Sequence, residues 1–381
     1  MVDLGLEELK IIDNHCHAVK LDSFHDLESW RSLFSESHDK SMQIHDSANT
    51  AFYGRLINLL SEHFGCEATE ESVYKKRSAL SAADAVSNLL SNSGIGKYIF
   101  DDGYPPRDEA VSEEEFNRLS GGESFYLLRL EVEFQKLIAA TDSFKALIEK
   151  VRELVSDVRS RGYVGFKSIV GYRTGLNIEN WDEDQVHSAY IEARSEVAQT
   201  GSVRLGYKPL VDHLLHLSLE SAASQELPVQ FHVAYGDPDV DFRTANPLEL
   251  RSVLENVRYK NAPIVMLHGC WPYTKEGSYL ASVYQNAYLD VSYGIAFQSS
   301  RSMLRMTEEA FSVAPSSKIL YSSDGARVPD LHVMSAISAR KAVNEVLESM
   351  IDDHDFTLIN AKKAAESFFK GNAARIYGIG S

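Results

Sequence analysis

Two histidines separated by one residue, His15 and His17, follow the first strongly apolar run of the chain. In an extended strand, side chains two residues apart point to the same side, so both imidazoles are expected on one face. Four further polar residues stand within or at the ends of later apolar runs: Lys167, His232, His268 and Asp324. Imidazole and carboxylate groups are ligands that zinc and similar divalent ions prefer. Together these residues predict a metal site with nitrogen and oxygen ligands.

Each of these residues also has a purely structural interpretation. A lone histidine at a strand end is more often a hydrogen-bonded polar residue than a ligand. Asp324, in Ser-Ser-Asp-Gly, could cap a helix, and Lys167 could extend to solvent or pair with a carboxylate. Cys16, between the two histidines, is expected to point outward into packing. It is the joint placement at successive run ends that favours the metal site.

Eight apolar runs must position these side chains, and helix-length segments separate most of them. They span residues 9–13, 97–101, 124–128, 165–170, 228–233, 263–268, 287–291 and 318–324. Runs buried on both faces are typical of parallel strands. The pattern predicts an α/β fold, a parallel (β/α)8 TIM-like barrel, in which the strand ends converge on one rim.

Two long helical excursions interrupt the rhythm, at 22–92 after the first run and at 177–226 before the fifth. Long excursions after a strand tend to be functional, so we interpret about 22–92 as a helical insertion that caps the barrel mouth. No linker divides the chain. We therefore predict one barrel domain over 1–381.

The composition restricts the partners and the compartment. A net charge of −17 disfavours nucleic acid and anionic membranes as partners. Residues 1–10 lack the pattern of a signal peptide, which predicts a cytoplasmic location. The three cysteines are far apart and predict no disulfide framework. A small-molecule substrate is expected, and assembly into a homo-oligomer stays open.

The ordered set of polar residues resembles the ligand order of the amidohydrolase superfamily. The resemblance is closest to the amidohydrolase-2 group, and within it to the amidohydrolase half of the nodulin/glutamine-synthetase-like, FluG-type proteins. The segments that carry it span most of the chain: 15–17, 165–176, 228–237, 245–248, 267–273, 323–325 and 371–378.

The resemblance implies a role for each matching residue. His15 and His17 would bind the more buried metal, and His232 and His268 a second, or His232 the first if only one is present. Lys167 would be a carbamate that bridges two ions. Asp324 would be both a metal ligand and the catalytic residue that takes a proton from metal-activated water. Zinc is the preferred ion, one or two per chain, and manganese the alternative.

The substrate contacts and the reaction are predicted less fully. Arg129 could grip a substrate carboxylate or pair with Glu131 or Asp102. Tyr172 and Arg173 follow the strand of Lys167, and Asp237 could receive an ammonium group or shape its turn.

The resemblance favours hydrolysis of a small carboxylated amide, such as a γ-glutamyl amide. A mononuclear decarboxylase or lyase, a lactone hydrolase, and a binding protein with a vestigial site are the alternatives. An unmodified lysine at 167 beside one metal would favour the lyase.

Overall fold

Each predicted run overlaps one β-strand in the computed structural model, which describes residues 4–380. The strands are β1 (Ile11–Cys16), β2 (Ile95–Asp101), β3 (Glu123–Arg129), β4 (Tyr163–Ser168), β5 (Val229–Phe231), β6 (Ile264–Met266), β7 (Ala287–Ser292) and β8 (Ile319–Ser322). They pair in parallel and in chain order. Beyond the strand ends, Asp324 N donates to His15 O at 3.0 Å and His17 N to Gly325 O at 2.7 Å, which links β8 to β1. The predicted parallel (β/α)8 barrel is confirmed. The predicted domain includes residues 1–3 and 381, which lie outside the described residues. Residues 1–3 also begin the segment that was tested for a signal-peptide pattern.

The helices of the described residues follow and interrupt the strands. They are α1 (Leu27–Ser32), α2 (Ala51–Phe64), α3 (Glu70–Arg77), α4 (Ala82–Leu90), α5 (Glu113–Ser120), α6 (Leu130–Ala140), α7 (Phe144–Val155), α8 (Glu183–Thr200), α9 (Lys208–Ser224), α10 (Arg251–Leu254), α11 (Thr274–Val283), α12 (Ser300–Val313), α13 (Pro329–Asp352), α14 (Leu358–Glu366) and α15 (Asn372–Tyr377).

Local sequence sets the ends of these helices. Before α8, the Asp182 side chain accepts from the Gln185 backbone at 2.8 Å, and the Gln185 side chain accepts from the Asp182 backbone at 3.2 Å. This reciprocal pair satisfies two amides that a helix start leaves unbonded. Gly201 ends the same helix at φ 80°, where a side chain would be strained. No helix within residues 4–380 has the length and apolar character needed to cross a membrane.

The segment between β1 and β2 contains α1 to α4. Its own core is aromatic: the ring of Trp30 packs edge-on against Phe34 and Tyr53, with centroids 5.2 and 5.9 Å apart. Trp30 and Phe34 are buried. An ion pair between Arg31 and Glu70 joins α1 to α3. The segment is therefore a packed unit, and its role as a cap with limits near 22–92 stays a prediction.

Polar side chains form the floor of the barrel. The Tyr377 hydroxyl, on α15, donates to Asn14 Oδ1 at 2.9 Å and accepts from Gln230 Nε2 at 2.6 Å. Asn14 Nδ2 donates to Asp290 Oδ2 at 2.6 Å. All four residues are buried, and hydrogen bonds between buried polar groups are stronger than the same bonds in water. The floor gives the strand ends above it a fixed base.

We expect Arg77→Met to destabilise the protein strongly. Arg77 Nε donates to both carboxylate oxygens of Asp330, at 3.0 and 2.9 Å, and the two side chains are 3% and 0% exposed. The substitution leaves a buried carboxylate without its cation, so the free energy of unfolding should fall by about 3–5 kcal/mol. Urea denaturation measures this loss. Arg301→Met, which breaks the exposed pair with Glu345, is the control and should leave stability unchanged; equal effects of the two variants would contradict the expectation.

Candidate metal centre

Six side chains predicted as metal ligands surround one cavity at the carboxyl ends of the strands. The cavity measures about 310 Å³. The six residues that line it are His15, His17, Lys167, His232, His268 and Asp324. All six are at least nine-tenths buried. The structure therefore brings every predicted ligand to the mouth of the barrel.

Three ligand atoms converge most closely. His15 Nε2 lies 3.2 Å and His17 Nε2 lies 3.4 Å from Oδ1 of Asp324. Within the described residues, these three side chains form the group whose ligand atoms all lie within 4.8 Å of one another. His15 is near the end of β1 and His17 just after it, at a point where the register against β2 shifts. Cys16 between them packs in the large hydrophobic cluster, with Sγ 3.7 Å from Ile99 O.

The hydrogen bonds around this group suit a divalent cation. His17 Nδ1 lies 3.1 Å from the carbonyl oxygen of Tyr104, an acceptor, so we assign the proton to Nδ1 and the lone pair to Nε2. This arrangement is the one that orients metal-binding histidines. Burial lowers the pKa of His15 to about 4 and that of His268 to about 3, so both imidazoles are neutral at neutral pH. Neutral imidazoles beside one carboxylate match a zinc-like ligand set.

The other two predicted histidine ligands, His232 and His268, lie on the opposite side of the Asp324 carboxylate. His268 Nε2 lies 2.8 Å from His232 Nδ1, and His268 Nδ1 lies 3.3 Å from Asp324 Oδ2. The backbone of His268 donates to Asp290 Oδ1 at 3.0 Å. His232 is 5% exposed and its Nε2 has no partner among the described residues. A buried imidazole nitrogen without a partner is available to a ligand in the cavity.

Lys167 reaches the site from β4, with Nζ 3.5 Å from His15 Nε2 and 3.9 Å from Asp101 Oδ2. Burial lowers the pKa of the Lys167 amine to about 8, although Asp101 opposes the shift. Asp101 itself, the last residue of β2, is held by two hydrogen bonds from Arg129 at 2.8 and 2.5 Å. Lys167 therefore has an ion-pair partner in this structure.

The four residues predicted to contact substrate also line the cavity: Arg129, Tyr172, Arg173 and Asp237. The carboxylate that pairs with Arg129 is Asp101, whereas Glu131 and Asp102, the partners considered from the sequence, bond elsewhere. The Tyr172 ring lies 4.2 Å from that of His232. Arg173 has a buried Nε with no partner among the described residues. Asp237 Oδ1 accepts from the backbone of Asp239 at 2.9 Å.

The charged residues that line the cavity but were not predicted as site residues include Asp101, Glu36 and Arg327. Asp101 could have been found, because it ends the second apolar run as Asp324 ends the eighth. Glu36 and Arg327 lie in loops after β1 and β8 and follow no periodic pattern.

A family model and a curated protein each match part of this chain. Residues 182–379, slightly more than half of the chain, match the family model described as amidohydrolase. That range includes Asp324, whereas His15 and His17 precede it. The protein fluG of Emericella nidulans is 30% identical over 233 residues, which cover 59% of this chain and 27% of fluG. The chain thus matches about a quarter of the length of this curated relative.

Solved structures resemble the whole chain. A Lactobacillus casei protein described as a metal-dependent hydrolase superimposes with a TM-score of 0.87 at 26% identity, over 98% of this chain and 96% of that one. Glucuronate isomerase from Caulobacter crescentus superimposes with a TM-score of 0.67 at 16% identity, over 99% and 93% of the two chains. The latter shows a shared fold alone. These matches confirm the resemblance predicted from the sequence.

Proposed function

Because this chain belongs to the amidohydrolase family, a family of metal-dependent enzymes, we propose that it hydrolyses the C–N bond of a small carboxylated amide. The observation that carries the proposal is the convergence of His15 Nε2, His17 Nε2 and Asp324 Oδ1 in the wall of one cavity. The volume of about 310 Å³ suits a small molecule.

We assign His15, His17 and Asp324 to a first divalent ion, with zinc preferred and manganese the alternative. When bound, such an ion lowers the pKa of a water ligand from about 15.7 to roughly 7 and polarises a carbonyl group. The residues supply one anionic and two neutral ligands, which leaves positions open for water and substrate.

His232 and His268 would hold a second ion, and Lys167 would be shared by both ions as a carbamate. A carbamate forms when the neutral Nζ bonds to the carbon of carbon dioxide and loses a proton, which turns the amine into a carboxylate-like anion. The lowered pKa of Lys167, about 8, supports this step because more of the amine is neutral near pH 7 than in an exposed lysine.

Asp324 is suited to accept and return a proton. Burial alone would raise the pKa of its carboxyl, but His268, His15 and His17 hold that pKa well below its usual range. The group is therefore ionised at neutral pH. We propose that Asp324 takes a proton from the attacking water and delivers it to the amide nitrogen as the C–N bond breaks.

Arg173 is the proposed contact for the substrate carboxylate. Its Nε is buried without a partner, and its Nη1 donates to the carbonyl of Tyr172 at 3.3 Å. An arginine with free donors can bind a carboxylate through two parallel hydrogen bonds. Arg129 lines the same cavity, but its guanidinium is paired with Asp101, so we propose that it orients that carboxylate.

A second candidate function is a lyase with a single metal. Asp101 favours it, because its carboxylate lies 3.9 Å from Lys167 Nζ and can stabilise an unmodified ammonium there. An uncarbamylated Lys167 would leave the two ions without a bridge.

Metal analysis paired with a substrate screen tests both candidates. The screen contains γ-glutamyl amides, lactones and aromatic acids. Amine release by protein with two divalent ions per chain is the expected result. Decarboxylation of an aromatic acid by protein with one ion would favour the lyase, and lactone opening without amide cleavage would point to a lactone hydrolase. Protein that holds no divalent ion would contradict the proposal.

A further inference from the structure

Glu36 is a carboxylate in the cavity that the proposed reaction does not use. It lies beyond α1 in the segment between β1 and β2 and lines the cavity with the metal-site residues. Within residues 4–380 its side chain makes no ion pair within 4.0 Å. An acidic side chain that reaches a buried site without a cationic partner calls for an explanation.

The backbone that carries Glu36 is firmly packed. Phe34, two residues earlier, is 2% exposed, and Trp30 on α1 is 0% exposed. The Gln43 side chain donates to Ser37 O at 2.6 Å, directly after Glu36. Aromatic packing on one side and a hydrogen bond on the other therefore fix where the carboxylate enters the cavity.

The charges around Glu36 do not balance. Asp324 and Asp237 are its anionic neighbours, and Arg327 and His38 are the cationic ones. His38 is mostly exposed and stands 3.9 Å from Asp237. With Asp324 assigned to a metal, the charged groups that remain around Glu36 are Asp237, His38 and Arg327. Burial and the nearby carboxylates raise the pKa of Glu36 to about 7, so an ammonium group bound beside it would favour its ionised form.

An uncompensated positive charge lies on the adjoining loop. The backbone of Asp239 donates to Asp237 Oδ1 at 2.9 Å, and the Asp239 carboxylate pairs with Arg204 at 2.7 Å. Arg173 lines the cavity beside Asp239, with its Nε unpartnered in the described part of the chain. Arg204 already pairs with Asp239, and Glu131, the other carboxylate near Arg173, accepts hydrogen bonds from the Ser168 hydroxyl and the Ile169 backbone. The charge of Arg173 is therefore free for a ligand. The cavity thus offers a negative edge next to a positive one.

We propose that this cavity selects the zwitterionic head of an α-amino acid, with the ammonium at Glu36 and Asp237 and the carboxylate at Arg173. An α-amino acid carries both charges on one carbon, which matches the adjacency of the two edges. The inference rests on the proposed hydrolysis and narrows its substrate to an amide of the side-chain carboxyl of an acidic amino acid. Glu36 is then a specificity-determining residue supplied by the segment after β1.

Two chromogenic amides that differ only in the α-ammonium test the proposal on the holoenzyme. They are γ-L-glutamyl-p-nitroanilide and glutaryl-p-nitroanilide. We expect Glu36→Gln to lower the ratio of their kcat/KM values by about 10- to 100-fold, the range for loss of a charged hydrogen bond. Glu28→Gln is the matched control, since Glu28 is an exposed residue of α1, and should leave the ratio at the wild-type value. A ratio that Glu36→Gln does not change would overturn the proposal.

Equilibrium binding separates this inference from the hydrolase proposal. Calorimetric titration of the holoenzyme with L-glutamate and with glutarate requires no turnover. Tighter binding of glutamate by the wild type, with the preference lost in Glu36→Gln, would support the inference even if neither anilide were cleaved; only the hydrolase proposal would then fail. Equal affinity of the wild type for glutamate and glutarate would overturn the inference. An equal loss of affinity for both ligands in Glu36→Gln would also overturn it, because that result is expected if Glu36 only balances the charge of Arg327.

Discussion

His17→Ala protein should retain less than about a tenth of the wild-type metal content and should lose hydrolytic activity. The substitution removes one of three converging ligand atoms, Nε2 of His17, whose ring is oriented through Nδ1 by the Tyr104 carbonyl. Changing a residue that merely orients a ligand already costs about 10- to 100-fold in metal affinity. The fold should survive, because His17 lies beyond the end of β1 rather than in the hydrophobic clusters.

Elemental analysis together with circular dichroism measures both parts of this expectation. His25→Ala is the control, because His25 is an exposed histidine of the same region whose side chain pairs with the exposed Asp22. It should keep the wild-type metal content. The site as described would be wrong if His17→Ala bound as much metal as His25→Ala.

Lys167→Ala should reduce kcat/KM by about 10³-fold or more, a loss in the range seen when a central catalytic group is removed. In the proposed dinuclear centre its carbamate is the ligand common to both ions. Acetate or propionate should restore part of the activity, because a free carboxylate can occupy the position left by the shortened side chain. Steady-state kinetics with and without these acids measures the rescue.

Carbon-13 NMR supplies an independent readout. Wild-type protein equilibrated with labelled carbon dioxide should show a carbamate signal that is absent from Lys167→Ala. Lys97→Ala is the control: Lys97 is also a strand lysine, on β2, but it pairs with Glu123 away from the cavity, and it should keep both the signal and the activity. A wild-type protein with no such signal and one ion per chain would favour the lyase.

The barrel and its predicted ligands could be read from the sequence because each depends on a local pattern. Parallel strands buried on both faces appear as continuous apolar runs, and eight runs gave eight strands. Polar residues at run ends then met at one rim, as His15, His268 and Asp324 do, because all parallel strands of a barrel end on the same side.

The partners of charged residues could not be read in this way. Arg129 pairs with Asp101, 28 positions away on the neighbouring strand. The partners predicted from the sequence were Glu131, which is close to Arg129 along the chain, and Asp102, which is next to Asp101. Glu36 reaches the cavity because Trp30 and Phe34 anchor the backbone before it. Such placements depend on tertiary packing, which no short sequence window contains.

The floor of the barrel has a consequence for the order of biosynthesis. Asn14 and Tyr377 are separated by 363 positions, and a ribosome that adds about 5–20 residues per second needs roughly 20–70 s to travel that distance. Until β8 (Ile319–Ser322) is made, which takes most of this interval, β1 lacks that strand as a neighbour, and an open strand edge can pair with other chains. His15 and Asp324 can meet only once β8 and Asp324 have been made, so metal capture must follow translation of β8. Ribosome-bound chains stalled before Ile319 should therefore acquire no metal and should be digested by protease far faster than released chains.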